Sequence, residues 1–324
     1  SFPRDHGSHP EFQTEWWYVT GSVREDAGRE FGFELTFFRF ALRPQAVESD
    51  SEWRARDLLL AHLAVTDVDR ERFHLRESIQ RAAAGLAGAA TESLAVWIGD
   101  WHLRQRGDLL ELGAREEGLG LALRLRPVRG PVLHGPGGWS PKDAAGEHAS
   151  SYSSMPRLAT SGQILVDEGW RTVTGMAWMD HEFFTGATPI EGLGWDWFSV
   201  RLADGRDLMI YRVRRPGAEP FAFGTRVEGD GSSFPLDTAG LVATPVEHGV
   251  SESTGARYPV AWELRLPAEG LELESRAVIP EQEVVAARTG GFADWEGLSR
   301  FEGSWGGAAI EGEGYVELTG YGER

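Results

Sequence analysis

A charged cluster, Asp180-His181-Glu182, ends an apolar segment of this 324-residue chain. The segment before it, Met176–Met179, includes a tryptophan, and two phenylalanines follow the cluster. A carboxyl group in apolar surroundings stays partly protonated near neutral pH and can donate a proton. Asp180 is therefore the first candidate for a general acid, with His181 and Glu182 as catalytic neighbours. The alternative is a structural cluster, in which Asp180 accepts backbone N–H groups or pairs with an arginine.

A further candidate is His62, which lies inside Leu58–Val65, a run that is apolar on both faces. Histidines in such runs are most often buried, hydrogen-bonded parts of the core. The functional alternative is a polar group that lines a ligand cavity near Asp180. Both interpretations stay open on the sequence alone.

Motifs for metals and cofactors are missing. His181-Glu182 superficially resembles the start of a metalloprotease helix motif, but no second histidine follows at the required spacing. His6 and His9 lie in an N-terminal segment that looks mobile, which argues against them as ligands. The chain has no cysteine, which excludes disulfides, thiolate-ligated zinc and iron–sulfur clusters. The sequence therefore predicts no metal site and no cofactor.

The overall charge narrows the classes of partner. The net charge is −18, from 32 basic and 50 acidic residues. Such a surface repels phosphate backbones and anionic membranes, so we expect no nucleic-acid partner. No apolar run approaches the roughly 20 residues of a membrane-spanning helix. The chain begins at Ser1 rather than at methionine, which is consistent with the removal of a signal peptide.

The pattern of residues favours many short strands. Glycine and proline are plentiful, with 41 and 16 residues, and long helical stretches are missing. The predicted strands of the first half are Glu15–Val23, Glu30–Phe40, Leu58–Asp67, Leu94–Leu103, Leu109–Leu112, Leu119–Leu125, Thr160–Val166 and Thr172–Asp180. Ile79–Ala90 is the candidate for a short helix, and Arg126–Met155 is predicted to be an extended loop across a barrel mouth. The predicted fold class is all-β.

The second half of the chain repeats the pattern of the first. Trp195–Leu202 and Arg206–Arg214 predict a tryptophan-led hairpin that matches the one beginning at Glu15–Val19. The ends of the halves match as well, because Gly175–Asp180 and Gly312–Glu317 share a Gly-x-small-aromatic-x-acid pattern. Matches in the same order indicate a duplicated antiparallel unit that closes into a barrel. The predicted domains are residues 1–186 and 187–324.

Several blocks of the chain are long and rich in aromatic residues: Glu15–Gly21, Thr36–Arg39, Ala61–Asp67, Trp178–Glu182, Gly194–Phe198 and Gly314–Tyr321. They resemble the AttH-like branch of the carotenoid 1,2-hydratase (hydroxyneurosporene synthase) family over essentially the whole chain. The resemblance implies two lipocalin-like antiparallel β-barrels in tandem. For the hydratase branch it implies cofactor-free addition of water to the terminal isoprenoid double bond of an acyclic carotene. Related two-barrel proteins act as pericyclases, and the AttH-like branch is commonly exported and associated with transporter systems.

The resemblance also implies a site around Asp180. Protonating an isolated alkene forms a carbocation, which needs a strong acid, an aromatic wall and one water molecule. The hydratase branch has an aromatic residue two positions before its catalytic aspartate, which carries over to Trp178 and Asp180. That aromatic is typically tyrosine, so the tryptophan here departs from the pattern. The expected ligand-binding residues are Trp178, Tyr152, Trp197, Trp17 and His62.

Two functions follow as hypotheses. The first is a periplasmic or secreted protein that binds a bulky apolar ligand, isoprenoid or lipid-like, and acts as a hydro-lyase. The second is a non-catalytic periplasmic carrier that hands an apolar molecule to or from an envelope ABC transporter. Under both, the expected partner is an apolar small molecule, and transporter components are the expected protein partners of the carrier.

Overall fold

Antiparallel strands and turns make up the described residues of the computed structural model, which are 1–42, 51, 53, 55–167, 169–185, 194–286, 288 and 292–322. The helical elements among them are short 3-10 turns, at Arg4–His6, Val68–Arg70, Pro136–Gly138 and Pro267–Glu269. The all-β prediction is confirmed. Within these ranges no helix has the length and apolar character that a membrane crossing requires.

The first large sheet is built from the first half of the chain. Its strands are β1 (Thr14–Arg24), β2 (Glu30–Ala41), β3 (Asp57–Asp67), β4 (Arg72–Arg81), β5 (Ala87–Ala89), β6 (Ala95–Ile98), β7 (Trp101–Arg106), β8 (Leu109–Glu116), β9 (Leu119–Pro127), β10 (Val132–Leu133), β11 (Trp139–Pro141), β12 (Ala149–Val166) and β13 (Gly169–Phe184). The main path through the sheet is β4-β3-β2-β1-β13-β12-β9-β8-β7-β6-β5. The first strand therefore pairs with the last, which brings Tyr18 of β1 beside Asp180 of β13.

The second large sheet repeats this arrangement. Its strands are β14 (Gly194–Leu202), β15 (Asp207–Arg214), β16 (Phe221–Val227), β17 (Ser233–Pro235), β18 (Val242–Val250), β19 (Arg257–Leu266), β20 (Leu271–Ala277), β21 (Glu283–Ala286), β22 (Phe292–Trp305) and β23 (Ala308–Thr319). The path is β17-β16-β15-β14-β23-β22-β20-β19-β18, and β21 pairs with β22. Again the first strand pairs with the last, as in an antiparallel barrel.

The chain divides into two compact units. The first comprises Ser1–Val65, His74–Val128 and Ser150–Gly186, and the second comprises Thr66–Phe73, Arg129–Ala149 and Ala187–Arg324. The predicted boundary between residues 186 and 187 lies outside the described residues. Two short segments from the first half of the chain therefore belong to the second unit.

Each unit has its own apolar core, and strand alternation determines which side chains enter it. On β2 the alternating residues Phe31, Phe33, Leu35 and Phe37 are all fully buried in the first core. Burying one such side chain stabilises the fold by roughly 2 to 3 kcal/mol. The second core is assembled in the same way around aromatic residues such as Trp262.

Two sequence predictions about local structure are wrong. The predicted helix at Ile79–Ala90 is the end of β4, a turn and β5. Gly85 lies in the turn with a φ of +72°, a left-handed conformation that a continuing helix does not use. The predicted loop Arg126–Met155 contains β10, β11 and the beginning of β12. Its prolines and glycines separate very short strands, which a pattern of hydrophobic alternation does not detect.

The register of the strands shows which positions of the two units are equivalent. Glu15 lies directly opposite Arg39 on the neighbouring strand, and Asp196 lies opposite Arg212 in the second unit. Both pairs form salt bridges, at 2.8 and 2.7 Å. Glu15 and Asp196 are therefore equivalent positions.

This register corrects the predicted match between the ends of the halves. Trp16, which follows Glu15, pairs with Glu182, and Trp197, which follows Asp196, pairs with Glu317. Glu317 is thus the counterpart of Glu182 and not of Asp180. A slip of two residues keeps the in-and-out alternation of a strand, so the sequence pattern alone does not reveal it.

Candidate active site

The predicted catalytic cluster is divided between the two faces of strand β13. Side chains alternate along a strand, so Trp178, Asp180 and Glu182 share one face. Ala177 and Met179 point to the other face and belong to the first apolar core. His181 lies on the same face as Ala177 and Met179. The structure therefore brings together only part of the predicted Asp180-His181-Glu182 group on one surface.

Three side-chain donors converge on the carboxyl group of Asp180, which is 3% exposed. The indole N–H of Trp178 donates to Oδ1 at 2.6 Å, and the hydroxyl of Ser154 donates to the same oxygen. The hydroxyl of Tyr152 donates to Oδ2 at 2.6 Å. Tyr152 and Ser154 both lie on β12, where Ser154 is directly opposite Asp180. The predicted residues Trp178 and Tyr152 are therefore in direct contact with the predicted acid.

The surroundings of Asp180 favour its protonated form. Burial raises the pKa of the carboxyl group to about 7. The charge of Glu182 raises it slightly further, whereas the three hydrogen bonds lower it. Two donors occupy Oδ1, whereas one occupies Oδ2. The less occupied oxygen, Oδ2, is the one that has room to carry a proton.

Glu182 supplies a second buried carboxyl group on the same face. It is 5% exposed and accepts a hydrogen bond from the hydroxyl of Ser150. Alternate residues of a strand are about 7 Å apart, so the two carboxyl groups are neighbours on this face of β13. Tyr152 lies directly opposite Glu182 in the sheet, so one tyrosine adjoins both acids.

His181 and Trp17 lie together on the opposite face. Their rings stack with centroids 4.9 Å apart. The Nδ1 atom of His181 faces the backbone carbonyl of Asp5 at 3.1 Å, and Nε2 faces Oε1 of Glu15 at 3.0 Å. Trp17 is fully buried in the first core and donates its indole N–H to the carbonyl of His6.

The remaining predicted residues lie elsewhere. His62 is 8% exposed, packs edge-on against Phe38 and has its Nε2 atom 3.8 Å from Glu77. Burial lowers the pKa of His62 to about 4, so its ring is neutral at pH 7. Trp197 is buried in the second unit, where it lies opposite Tyr211 and Glu317.

Comparison with known proteins identifies the family. The sequence profile described as AttH-like matches residues 1–321. This chain belongs to the AttH-like family. A putative AttH protein from Nitrosomonas europaea has a similar structure, with a TM-score of 0.86 and 30% identity over 99% of this chain and 97% of that one. The resemblance found in the sequence is confirmed, together with its two lipocalin-like barrels.

More distant structures share the fold of this AttH-like protein. Kievitone hydratase from Nectria haematococca has a TM-score of 0.77 and 14% identity, covering 98% of this chain and 92% of that one. CghA has a TM-score of 0.60 and 12% identity, covering 96% of this chain and 89% of that one. No curated protein matches. At these identities the likeness to the two proteins concerns the fold alone.

Two side chains of the candidate site are not predicted from the sequence. Ser150 and Ser154 each donate to one of the buried acids, although neither stood out as a candidate. A signal was present, because Ser150, Tyr152 and Ser154 alternate along one strand and so share a face. The sequence does not show that this strand, β12, pairs with β13.

Proposed function

We propose that this AttH-like protein is a cofactor-free hydro-lyase that adds water across a carbon–carbon double bond, with Asp180 as the acid. The observation that carries the proposal is the convergence of Tyr152, Ser154 and Trp178 on one buried carboxyl group. These contacts orient the carboxyl group and leave Oδ2 as its proton-bearing atom. Membership of the AttH-like family and a fold similar to that of kievitone hydratase also support the proposal.

The reaction balances with two carboxyl groups and one water molecule. Asp180 transfers the proton on Oδ2 to one alkene carbon, and the π electrons form the new C–H bond, leaving a cation on the other carbon. Water then adds to that carbon through an oxygen lone pair, and Glu182 accepts the proton that the water loses. Proton exchange with solvent returns Asp180 to its acid form and Glu182 to its carboxylate form. The product contains one water more than the substrate.

Aromatic groups beside Asp180 suit the cationic intermediate. Trp178 and Tyr152 contact the acid through the N–H and O–H groups at their ring edges, and we infer that the cation forms against one of their ring faces. A cation near such a face is stabilised by about 0.5 to 2 kcal/mol, more when water is excluded. We infer a substrate with a bulky apolar, isoprenoid-like alkene, because a tertiary cation forms most readily from a branched double bond.

The test is mass spectrometry of isoprenoid and lipid extracts incubated with the wild-type protein and with Asp180→Asn. We expect a mass gain of one water with the wild type, with the oxygen derived from labelled water, and at least a hundredfold slower turnover with the variant. Asp26→Asn changes an exposed aspartate of the same unit and serves as the matched control. Circular dichroism confirms that each variant is folded.

Two outcomes would contradict the proposal. If Asp180→Asn turns over the substrate as fast as the wild type, Asp180 is not the acid. If both proteins retain an unchanged apolar ligand, the protein is a carrier of the kind expected beside an envelope transporter. We also infer that the protein acts in the periplasm or outside the cell, and fractionation of cells that express the full-length gene tests this.

A further inference from the structure

Three buried side chains on the other face of β13 point their ligand atoms at one another. Nδ1 of His9 lies 3.1 Å from Oε1 of Glu15, and Nε2 of His181 lies 3.0 Å from the same oxygen. All three residues are at most 4% exposed, and all three atoms lie within 4.8 Å of one another. None of these atoms takes part in the proposed hydration.

The hydrogen bonds of His181 leave one ring nitrogen facing Glu15. Nδ1 of His181 faces the carbonyl of Asp5, and a carbonyl oxygen only accepts, so Nδ1 carries the hydrogen. Nε2 of the same ring faces the carboxylate oxygen of Glu15 at 3.0 Å, so a cation shared by these two atoms, a proton or a metal ion, belongs between them.

The nearby arginine does not fill this role. Arg39 binds the other oxygen of Glu15, with Nε at 2.8 Å from Oε2. Its guanidinium also donates to Asp57 at 2.9 Å, so its single charge is shared between two carboxylates. The Oε1 side of Glu15 is lined by imidazole nitrogens and a backbone N–H group, none of which carries a fixed charge.

The second unit provides an internal comparison. Asp196 is the counterpart of Glu15, and Arg212 binds its Oδ2 in the way that Arg39 binds Oε2. The other oxygen of Asp196 faces a second arginine, with Nε of Arg214 at 3.1 Å. The same carboxylate thus has a permanent cation on both sides in the second unit. In the first unit, two imidazoles take the position of the second cation.

We propose that His9, Glu15 and His181 bind one divalent transition-metal ion, for which Zn²⁺ is the best chemical match. Zinc takes imidazole nitrogen and carboxylate oxygen at about 2.0 to 2.2 Å. In a tetrahedral arrangement such ligand atoms are about 3.3 Å apart, so the contacts to Oε1 need to widen by only roughly 0.3 Å.

The surrounding groups match those of known metal sites. Metal-binding histidines usually donate their other ring N–H to a carbonyl or carboxylate, as His181 does to Asp5. Metal-binding carboxylates are usually hydrogen-bonded, and Ser8 donates to Oε2 of Glu15 at 2.8 Å. Aromatic stacking orients the rings, since Phe183 lies parallel to His9 with centroids 3.7 Å apart.

The ion would connect parts of the chain that are distant in sequence. His181 is 166 residues from Glu15, and His9 precedes β1. Binding to the folded state alone raises stability by mass action, so the ion is expected to act as a structural staple. This role makes the N-terminal segment part of the first unit rather than a loose extension.

The experiment uses the full-length protein after treatment with a chelator. Equilibrium dialysis against Zn²⁺, followed by elemental analysis, is expected to give about one ion per chain, and thermal unfolding is expected to shift upward with Zn²⁺. His9→Gln and His181→Gln should each weaken binding at least tenfold and abolish the shift, because each removes a ligand, and loss of a group that only orients a ligand already costs about tenfold to a hundredfold. His248→Gln changes an exposed histidine and should behave like the wild type.

A second measurement covers variants that fail to fold. Co²⁺ bound to the wild-type chain is expected to give visible absorption bands typical of nitrogen and oxygen ligands. If the wild type binds neither ion, a proton on His181 fills the position and the proposal is wrong. The proposal is also wrong if both histidine variants bind Zn²⁺ like the wild type. Asp180→Asn should bind Zn²⁺ normally, which separates this result from the test of the hydratase.

Discussion

Replacing His134 with asparagine should make the protein more resistant to acid. His134 is fully buried in the second unit, and its Nδ1 atom lies 2.9 Å from the hydroxyl of Thr225. Burial, helped by the charge of Lys142, lowers the pKa of His134 from 6.5 to about 3. Asparagine carries an amide near the position of Nδ1, so His134→Asn retains a partner for Thr225 and removes the titrating group.

The magnitude follows from linkage between protonation and folding. Between pH 6.5 and pH 3 the unfolded chain binds a proton at this histidine and the folded chain does not, so stability falls as the pH falls. Between pH 7 and pH 5 the loss from this one group is about 2 kcal/mol. Other buried histidines such as His62 contribute in the same direction, so the test is the difference between the variant and the wild type.

The assay is urea unfolding at pH 7 and pH 5, followed by tryptophan fluorescence. The wild type should lose about 2 kcal/mol more than His134→Asn over this interval. His248→Asn removes an exposed histidine and should leave the pH dependence of the wild type unchanged. Equal losses in the wild type and in His134→Asn would refute the reasoning, as would an NMR titration in which the ring of His134 gains a proton above pH 5.

Two further predictions concern close packing. An added Cβ at Gly314 would lie 1.7 Å from the backbone oxygen of Ser199, so Gly314→Ala should lower the free energy of unfolding by about 3 kcal/mol. The control is Gly130→Ala, because an added Cβ there meets no atom within 4 Å, and it should change this free energy by less than about 0.5 kcal/mol. Urea denaturation measures both, and equal midpoints would contradict the packing argument. Phe37→Ala empties a fully buried position of the first core and should cost about 3 to 5 kcal/mol. Leu133→Ala, at a site 42% exposed, should cost less than about 1 kcal/mol, and a thermal shift of similar size in both would contradict the assignment of Phe37 to the core.

Much of the architecture could be predicted from residue order. Alternation of aromatic and polar residues in Glu15–Val23 and Glu30–Phe40 identified β1 and β2 within one or two residues at each end. Short strands could not be predicted where glycine and proline interrupt the pattern, as for β10 and β11 between β9 and β12. Propensity is a local property, and strands of two or three residues obtain their stability from neighbours rather than from their own sequence.

Some residues of the candidate site could be predicted from the sequence, and others could not. Asp180 and Trp178 could be selected because an acid and an aromatic residue two positions apart must share a face of a strand. The same rule separates His181 from them, since adjacent residues point to opposite faces. The donors Ser150 and Ser154 could not be found, because their contact with the acids depends on which strand pairs with β13 and in what register.

The sequence by itself determined the all-β class, the duplication and the family, and it selected Asp180 as the candidate acid. Each of these depends on residue types and spacings within a short segment or on blocks repeated along the chain. Only the tertiary structure decided that Glu182 corresponds to Glu317, and that His9, Glu15 and His181 meet. The physical reason is that a strand repeats every two residues, so its pattern is the same in every even register. The pairing of whole strands selects one register, and with it the side chains that come into contact.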